Sequence, residues 1–277
     1  MTAPRRAVVT GAGPGSIGEA VAAALAGDGW EVVATTRSQP VPGHDWHPLD
    51  LADRASVAAF AGWWADRSDR LDLLVNSAGI HLDLGSRWTE PQLLDGHEIH
   101  WRTNYLGTVD LTAALLPSLL TAADATGDAR VLHVVSQLHE RGTVEAMLGR
   151  PGVYDSWAAY GTSKLALVHH AASLVEEYGD RGLRAIPVHP GAVSTNIANR
   201  GLETRPVLRR LRNLARPLER RVLMTPRASA ELLVRLATDP ATPSSYHHKG
   251  HASDPSEAAR DVAARGELAR TTAVWLG

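Results

Sequence analysis

Short β-branched runs alternate with longer helical stretches along most of the chain, and this alternation constrains the fold more than any other feature. Strands that alternate with helices of this length pair in parallel, with helices packed on both faces of the sheet. The predicted strands are RAVVT (6–10), WEVVATT (30–36), LDLLVNSAG (71–79, ending in a tight loop), RVLHVVS (130–136) and LRAIPVHPG (183–191, ending in a Pro-Gly turn). The predicted helices are IGEAVAAALAGDG (17–29), ASVAAFAGWWADR (55–67), two segments around TNYLGT within 91–122, residues 156–179 and residues 225–239. The sequence therefore predicts an α/β fold, a doubly wound parallel sheet flanked by helices, in a single domain over residues 1–277.

Composition excludes several classes of protein. The formal net charge is −2 and 44% of the residues are apolar, which fits neither a nucleic-acid-binding protein nor a disordered chain. The absence of cysteine excludes disulfides, thiol catalysis and thiolate metal sites, and it fits a cytoplasmic location. The N-terminal MTAPRRAVVTGAG has too short an apolar run for a signal peptide. The most apolar long stretch, LTAALLPSLLTAADA (111–125), contains proline and aspartate, so we expect a core helix and no membrane span.

A glycine-rich turn, TGAGPGSIG (10–18), joins the first predicted strand to the first predicted helix. Glycines at this position let the backbone approach a pyrophosphate, and the helix N-terminus offers amide donors to it. The alternative is a tight strand–helix turn without a ligand. The strand–turn–helix context favours a dinucleotide site.

The segment YGTSK (160–164) contains one of only two lysines, Lys164 and Lys249, among 28 basic residues. Residues four apart share one face of a helix, so the Tyr160 hydroxyl and the Lys164 ammonium could face the same cleft. Arginine could not replace lysine there, because its guanidinium does not titrate and its donors are fixed in a plane. The alternative is a chance surface lysine.

Several motifs, in order along nearly the whole chain, resemble those of the short-chain dehydrogenase/reductase (SDR) family. TGAGPGSIG resembles its TGxxxGIG, NSAG (76–79) its NNAG, YGTSK its YxxxK, and HPGAVST (189–195) its PGxVxT. The segments TNYLGT and SKLAL are most similar to the retinol-dehydrogenase-like branch. The resemblance implies a Rossmann-type fold and hydride transfer with a nicotinamide cofactor. The turn has one residue more than the family motif, which leaves open whether Gly13 or Gly15 contacts the pyrophosphate.

The resemblance also implies four catalytic residues. Tyr160 would be the general acid in reduction and the base in oxidation, and Lys164 would lower its pKa and bind the ribose hydroxyls. Ser136 would donate to the substrate oxygen, and Asn104 would hold a water that links Lys164 to solvent. The residues implied to bind the cofactor are Gly11, Gly15, Ser16, Ile17, Gly18, Thr36, Arg37, Asp50, Leu51, Asn76, Ala78, Gly79, Tyr160, Lys164, Pro190, Gly191, Val193 and Thr195.

The end of the second strand bears on the choice of cofactor. An enzyme that prefers NAD usually has an acidic residue there, whereas an arginine suits the 2′-phosphate of NADP. Here the strand ends in Thr36 followed by Arg37, so we expect NADP(H); the alternative is an ordinary exposed arginine. Asp50 resembles the family's contact to the adenine amino group, and a helix cap is the competing interpretation.

Other candidate residues lie around the predicted cleft. Leu138, His139, Tyr154 and Trp157 are candidates for substrate contacts, although His139 could be a surface histidine and the two aromatic residues could simply pack. Residues 138–155 form a polar excursion that we interpret as a substrate loop. Residues 197–222 carry eight arginines, which we interpret as a lid; the alternative is a solvated amphipathic helix. The histidines lack a metal-ligand pattern, so no metal is expected.

The main functional hypothesis is an NADPH-dependent oxidoreductase that interconverts a ketone or aldehyde and an alcohol. A second enzyme hypothesis is a reductase of polyketide-like or carrier-tethered intermediates. A third, from another class, is a non-catalytic NADP(H)-binding sensor or scaffold. The expected partner is a small carbonyl or alcohol substrate, and the family resemblance allows a homodimer or homotetramer.

Overall fold

The central sheet has eight strands. In the computed structural model, which describes residues 4–193 and 223–277, the strands run in the order β10-β9-β8-β7-β4-β1-β2-β3. All neighbours pair in parallel except β9 and β10, which form an antiparallel edge. β5 and β6 form a separate small hairpin. The bounds are β1 Arg6–Val9, β2 Glu31–Thr36, β3 Asp45–Pro48, β4 Leu73–Asn76, β5 Leu93–Leu94, β6 His97–Glu98, β7 Ala129–Val134, β8 Leu183–His189, β9 His247–His248 and β10 His251–Ala252.

This order confirms the predicted doubly wound parallel sheet. Chain order reverses at β1, which lies between β4 and β2, and open α/β sheets place their ligands at such a switch point, beyond the carboxyl ends of the strands. The sequence prediction did not include β3, β5, β6, β9 or β10, which are two to four residues long.

Helices cover both faces of the sheet and bury its apolar side chains. Val21 and Leu25 pack with Leu233 on one face, and Phe60, Leu115 and other apolar residues form a second core on the opposite face. The helices are α1 Ile17–Gly27, α2 Arg54–Arg67, α3 Gly107–Thr126, α4 Val144–Met147, α5 Ser156–Tyr178, α6 Pro226–Thr238 and α7 Val262–Leu276, with 3₁₀ turns at Gln137–Arg141, Gly179–Arg181 and Glu257–Arg260.

The helix starts that matter for the site are capped by short polar side chains. Ser16 Oγ accepts from the Glu19 amide at 3.0 Å at the start of α1. Asp155 Oδ1 accepts from the amides of Trp157 and Ala158 at 2.7 and 2.9 Å, which fixes the first turn of α5. Such caps satisfy amides that have no partner within the helix and are worth about 1 kcal/mol each.

The region 91–122 differs from the prediction of two helical segments around TNYLGT. The β5–β6 hairpin comes first, and a π-helix at Trp101–Leu106 then continues directly into α3. By length and apolar composition, the helix from Trp101 to Thr126 is the one helix in the described residues that could cross a membrane. Its Leu111, Leu115 and Leu119 are instead fully buried against the sheet, so the prediction of a core helix is confirmed.

The C-terminal helix α7 closes one side of the fold. Arg54, the first residue of α2, donates to the backbone carbonyls of Trp275 and Leu276 at 3.0 Å each and lies over the Trp275 ring at 4.5 Å. The sequence prediction ended its helices at residue 239 and missed α7. The substrate loop predicted at 138–155 contains a 3₁₀ turn and the short helix α4.

Candidate active site

The glycine turn brings β1, α1 and the segment after β4 close together. Gly11 has a φ of 69°, and a Cβ atom on it would lie 2.7 Å from the Cα of Ala78. A Cβ atom on Gly18 would lie 2.8 Å from two backbone carbonyl oxygens at the end of β1. Both positions therefore require glycine, and the turn keeps its backbone bare where a pyrophosphate would approach. Ser16 and Ile17 lie at the start of α1, as the resemblance implies.

The two remaining glycines of the turn differ. Gly15 has a φ of 72°, and its amide donates to the Glu19 carboxylate at 2.6 Å. Gly13 has an ordinary φ, and its Cβ position faces open space. The extra residue thus lies in an open bend, while Gly15 is fixed against α1.

Thr36 and Arg37 lie at the carboxyl end of β2. The Thr36 hydroxyl accepts from the Trp46 indole at 2.9 Å and from the Gln39 amide at 3.2 Å, so it organises the turn after the strand. Arg37 is exposed, and its guanidinium makes no ion pair with the described part of the chain. Thr36 adds no charge at this end of the sheet, and Arg37 keeps its positive charge exposed.

Asp50 and Leu51 follow β3 on the same edge. Asp50 Oδ1 accepts from the Ala52 amide at 2.9 Å, and the side chain that caps α2 is Asp53. The interpretation of Asp50 as the helix cap is therefore wrong. Leu51 is buried, and its carbonyl accepts from Arg102 at 2.9 Å.

The segment after β4 lies directly against the predicted catalytic residues. Asn76 is buried, and its amide nitrogen lies 3.2 Å from the Thr112 hydroxyl. A Cβ atom on Gly79 would lie 3.3 Å from Asn104 Oδ1 and 3.4 Å from Lys164 Nζ. Ala78 and Gly79 therefore lie in a tightly packed segment beside Lys164.

Tyr160, Ser136 and Lys164 come together where β7 meets α5. The Ser136 side chain lies near enough to the Tyr160 hydroxyl to favour its ionisation and so to lower its pKa. Lys164 Nζ lies 5.7 Å from the centre of the Tyr160 ring and donates to the Val134 carbonyl at 3.0 Å. Tyr160 and Lys164 are both buried, so the interpretation of Lys164 as a chance surface lysine is wrong.

Burial is the largest influence on the pKa values of Tyr160 and Lys164. It raises the pKa of Tyr160 to about 12, against a smaller lowering by Ser136. It also lowers the pKa of Lys164 to about 8. The sequence predicted a lowered tyrosine pKa; in this structure it is raised, because loss of water around the phenolate outweighs the lowering by Ser136. Tyr160 is consequently protonated at neutral pH.

Asn104 lies inside the π-helix and is fully buried. Its Oδ1 accepts from the Ile80 amide at 2.7 Å, and its Nδ2 donates to the Ile80 carbonyl at 2.9 Å and the Ser163 hydroxyl at 3.1 Å. The side chain therefore ties the segment after β4 to both α5 and the π-helix. The predicted water contact stays a prediction.

The segment after β8 follows the carboxyl end of the strand that neighbours β7. Gly191 has a φ of 106°, and a Cβ atom on it would lie 2.8 Å from Met224 Sδ. Pro190 is buried, and Val193 forms a β-bridge with Met224. Thr195 and the predicted lid at 197–222 lie outside the described residues.

The predicted substrate residues fall into two groups. Tyr154 and Trp157 are half-buried, and the Tyr154 hydroxyl donates to Glu98 Oε1 at 3.2 Å. Leu138 is half-buried beside Ser136, whose hydroxyl accepts from its amide at 3.2 Å. His139 is fully buried, its Nδ1 lies 2.8 Å from the Ser136 carbonyl, and its Nε2 accepts from the Ser256 amide at 3.2 Å. The interpretation of His139 as a surface histidine is wrong, and its ring supports the Ser136 backbone.

Two histidines that pack against the Tyr160 ring, His81 and His100, were not predicted from the sequence. His81 stacks on the Tyr160 ring with centroids 4.0 Å apart and planes at 8°. His100 lies edge-on to the same ring at 6.2 Å, its Nδ1 lies 2.7 Å from Glu98 Oε1, and its Nε2 accepts from the Leu82 amide. The only sequence signal was the position of His81 two residues after NSAG. In the part of the chain that the structure describes, no group of histidines and acids could hold a metal ion.

Comparisons with known proteins bear on the family and the fold of the chain. A family model described as short chain dehydrogenase matches residues 5–205. The Bos taurus protein named dehydrogenase/reductase SDR family member 13 is 36% identical over 244 residues, which cover 82% of this chain and 60% of that protein. The chain thus spans about three-fifths of the length of this relative.

Two solved structures show the same fold. The 3-ketoacyl-(acyl-carrier-protein) reductase from Brucella melitensis, complexed with NADH, has a TM-score of 0.67 and 22% identity, covering 89% of this chain and 98% of that chain. The NADPH-bound carbonyl reductase from chicken fatty liver has a TM-score of 0.66 and 21% identity, covering 92% and 100%.

Proposed function

The chain belongs to the short-chain dehydrogenase family, and we propose that it uses NADPH to interconvert a ketone or aldehyde and an alcohol, with Tyr160 as the general acid and base. The observation that carries this proposal is that Tyr160 and Lys164 are buried side by side, with the Lys164 ammonium 5.7 Å from the centre of the phenol ring and Ser136 acting on the tyrosine hydroxyl. The arrangement offers two hydroxyl donors to one carbonyl oxygen and a cation close to the charge that develops.

The residues of the cleft divide the chemistry between them. In reduction, the substrate oxygen accepts hydrogen bonds from Ser136 and Tyr160, and Tyr160 delivers its proton to that oxygen. Its raised pKa keeps the proton in place until the substrate oxygen becomes strongly basic. Lys164 stabilises the phenolate that remains. The nicotinamide cofactor, when bound, supplies the hydride.

The bare glycine turn fits a dinucleotide. Gly11 and Gly18 have no space for a side chain, and the capped N-terminus of α1 supplies amides toward the place where a pyrophosphate would lie. Gly79 and Lys164 would border the ribose of the bound cofactor, and the segment of Pro190, Gly191 and Val193 would hold its carboxamide.

Arg37 supports the choice of NADPH over NADH. Its exposed guanidinium follows β2, where a 2′-phosphate would lie, and Thr36 adds no negative charge there. NADPH and NADH titrations of the purified protein, followed by nicotinamide fluorescence, test this proposal directly. We expect tighter NADPH binding, a loss of about tenfold or more for NADPH alone in Arg37→Ala, and no change in Arg270→Ala, a matched exposed arginine on α7. Equal affinities in the wild-type protein would refute the NADPH assignment and leave the enzyme class standing.

Tyr160→Phe distinguishes an enzyme from a binding protein. The variant keeps the ring and its stacking but has no proton to give. We expect it to bind NADPH as the wild type does and to lose turnover of a panel of ketones and aldehydes. A wild-type protein that binds the cofactor but turns over none of the panel would favour the sensor hypothesis.

The cytoplasmic location, which the lack of cysteine supports, belongs to the same proposal.

A further inference from the structure

His81 is placed to control the tyrosine that the proposed function depends on. It follows the segment after β4, and only 7% of its surface is exposed. One face of its imidazole lies parallel to the Tyr160 phenol, with ring centres 4.0 Å apart. The Trp157 indole packs edge-on against the same imidazole at 4.8 Å, which fixes its position from α5.

If His81 served only to pack against Tyr160, its imidazole would lower the stability of the folded state without need. Its Nε2 is buried and has no hydrogen-bond partner in the described part of the chain. A buried nitrogen without a partner destabilises the folded state, and phenylalanine would stack on Tyr160 without that penalty. Departures of this kind from the most stable choice occur mainly at functional sites.

The surroundings keep this ring neutral. From α5, Tyr160, Trp157 and Lys164 face it, and His100 faces it from the residue before the π-helix at 6.1 Å. Burial, followed by His100 and Lys164, lowers the pKa of His81 to about 3. A neutral ring therefore covers the phenol at neutral pH.

We propose that His81 is a positioning residue for the proposed reaction, which shields one face of Tyr160 from water and sets how readily Tyr160 gives up its proton. The inference rests on the proposed function for its consequence in catalysis. The shielding excludes water from the phenolate, which holds the proton on oxygen. Both imidazole and phenylalanine would present a face to the phenol, but imidazole carries a dipole that phenylalanine lacks, so a phenolate is better solvated beside imidazole than beside an apolar ring.

Two substitutions separate these effects. His81→Ala opens one face of Tyr160 to water, so the tyrosine should ionise about one pH unit lower or more. His81→Phe keeps the face covered and removes the nitrogen, so ionisation should not move to lower pH and should move higher. A purely structural role would change stability or turnover without moving the two variants in opposite directions.

The ionisation of Tyr160 can be measured whether or not the protein turns over a substrate. The chain has five tyrosines, so ¹³Cζ-labelled tyrosine gives few NMR signals, and Tyr160→Phe identifies the one from Tyr160. The pH at which this signal begins to shift is compared in the wild type, His81→Ala and His81→Phe. The control is His47→Ala on β3, where another histidine packs on an aromatic ring, Trp63, at 4.4 Å.

The pH at which Tyr160 ionises should be lowest in His81→Ala, intermediate in the wild type and highest in His81→Phe, and the control should have the wild-type value. The alkaline limb of the pH–rate profile for alcohol oxidation should follow the same order. If both variants titrate with the wild type, or both move in one direction, the inference is overturned. Should the alanine variant not fold, His81→Asn also uncovers the ring and tests the same point. An NMR shift in the expected order without any turnover would support the inference while counting against the proposed function.

Discussion

Replacing Lys164 by methionine should stabilise the protein while removing its activity. The ammonium is buried, and burial lowers the pKa of Lys164 from 10.5 to about 8. A lowered pKa means that the folded state disfavours the charged lysine relative to the unfolded chain. Methionine has a similar unbranched length and carries no charge, so it removes this penalty.

The magnitude follows from the shift. A change of this size corresponds to roughly 3 kcal/mol at neutral pH. The variant also loses the hydrogen bond from Nζ to the Val134 carbonyl, worth about 1 kcal/mol. We therefore expect a net gain of roughly 2 kcal/mol in the free energy of unfolding, or about 3–5 °C in Tm for a chain of this size.

The pH dependence gives the sharper test. Below pH 8 lysine is protonated in both states, and the penalty is fully present. Between pH 8 and 10.5 the folded state loses its proton while the unfolded chain keeps it, so the wild type gains stability relative to the variant as pH rises. The stability gap should therefore narrow by up to about 1.4 kcal/mol per pH unit across this window. Tyr160 contributes to the pH dependence of stability in the opposite direction. Because both proteins contain Tyr160, this contribution cancels when the free energy of unfolding of one is subtracted from that of the other.

Urea unfolding at several pH values between 7 and 10 measures the gap. Lys249→Met is a matched control, because it changes the chain's other lysine, which is exposed in the β9–β10 turn. The control should show wild-type stability and no narrowing. A Lys164→Met protein less stable than the wild type at pH 7, with a gap that does not depend on pH, would refute the reasoning that burial dominates this site.

Three further predictions concern the scaffold. Gly18→Ala should lower the free energy of unfolding by about 1–3 kcal/mol, because its Cβ would meet backbone oxygens at 2.8 Å, whereas Gly13→Ala, which faces open space, should change thermal stability little. Asp155→Ala should cost about 1 kcal/mol in urea unfolding through loss of the α5 cap, and Asp155→Asn should retain most of it. Burial lowers the pKa of His81 to about 3 and that of His170 to about 4. Below pH 6.5 these two histidines therefore bind protons in the unfolded chain but stay neutral in the folded state. The free energy of unfolding should therefore fall between pH 7 and 5, by up to about 1.4 kcal/mol per pH unit for each histidine, and Tm should fall with it; a flat profile would contradict this.

The predicted strands and the helices at α1, α2, α5 and α6 were found, because their signals are local. Buried β-branched runs, helical spacing and capping residues such as Thr225 before Pro226 act within a few residues of one another. The short strands β3 and β9 carry too few residues for a pattern, and they form only because a neighbouring strand offers its open edge. The continuous π-helix and α3 replaced two predicted segments for a similar reason: Asn104 is held there by Ile80 and Ser163, which are distant in sequence.

The sequence by itself determined the family motifs, the parallel character of the sheet and the choice of Asn104, Ser136, Tyr160 and Lys164 as the predicted catalytic residues, since each rests on residue types at fixed spacing. The tertiary structure decided the chemistry around them. It placed His81 against Tyr160, buried Lys164, and reversed the expected direction of the tyrosine pKa shift. The physical reason is that proton affinity depends on how much water and which charges surround a group, and those surroundings are assembled only when distant segments pack together.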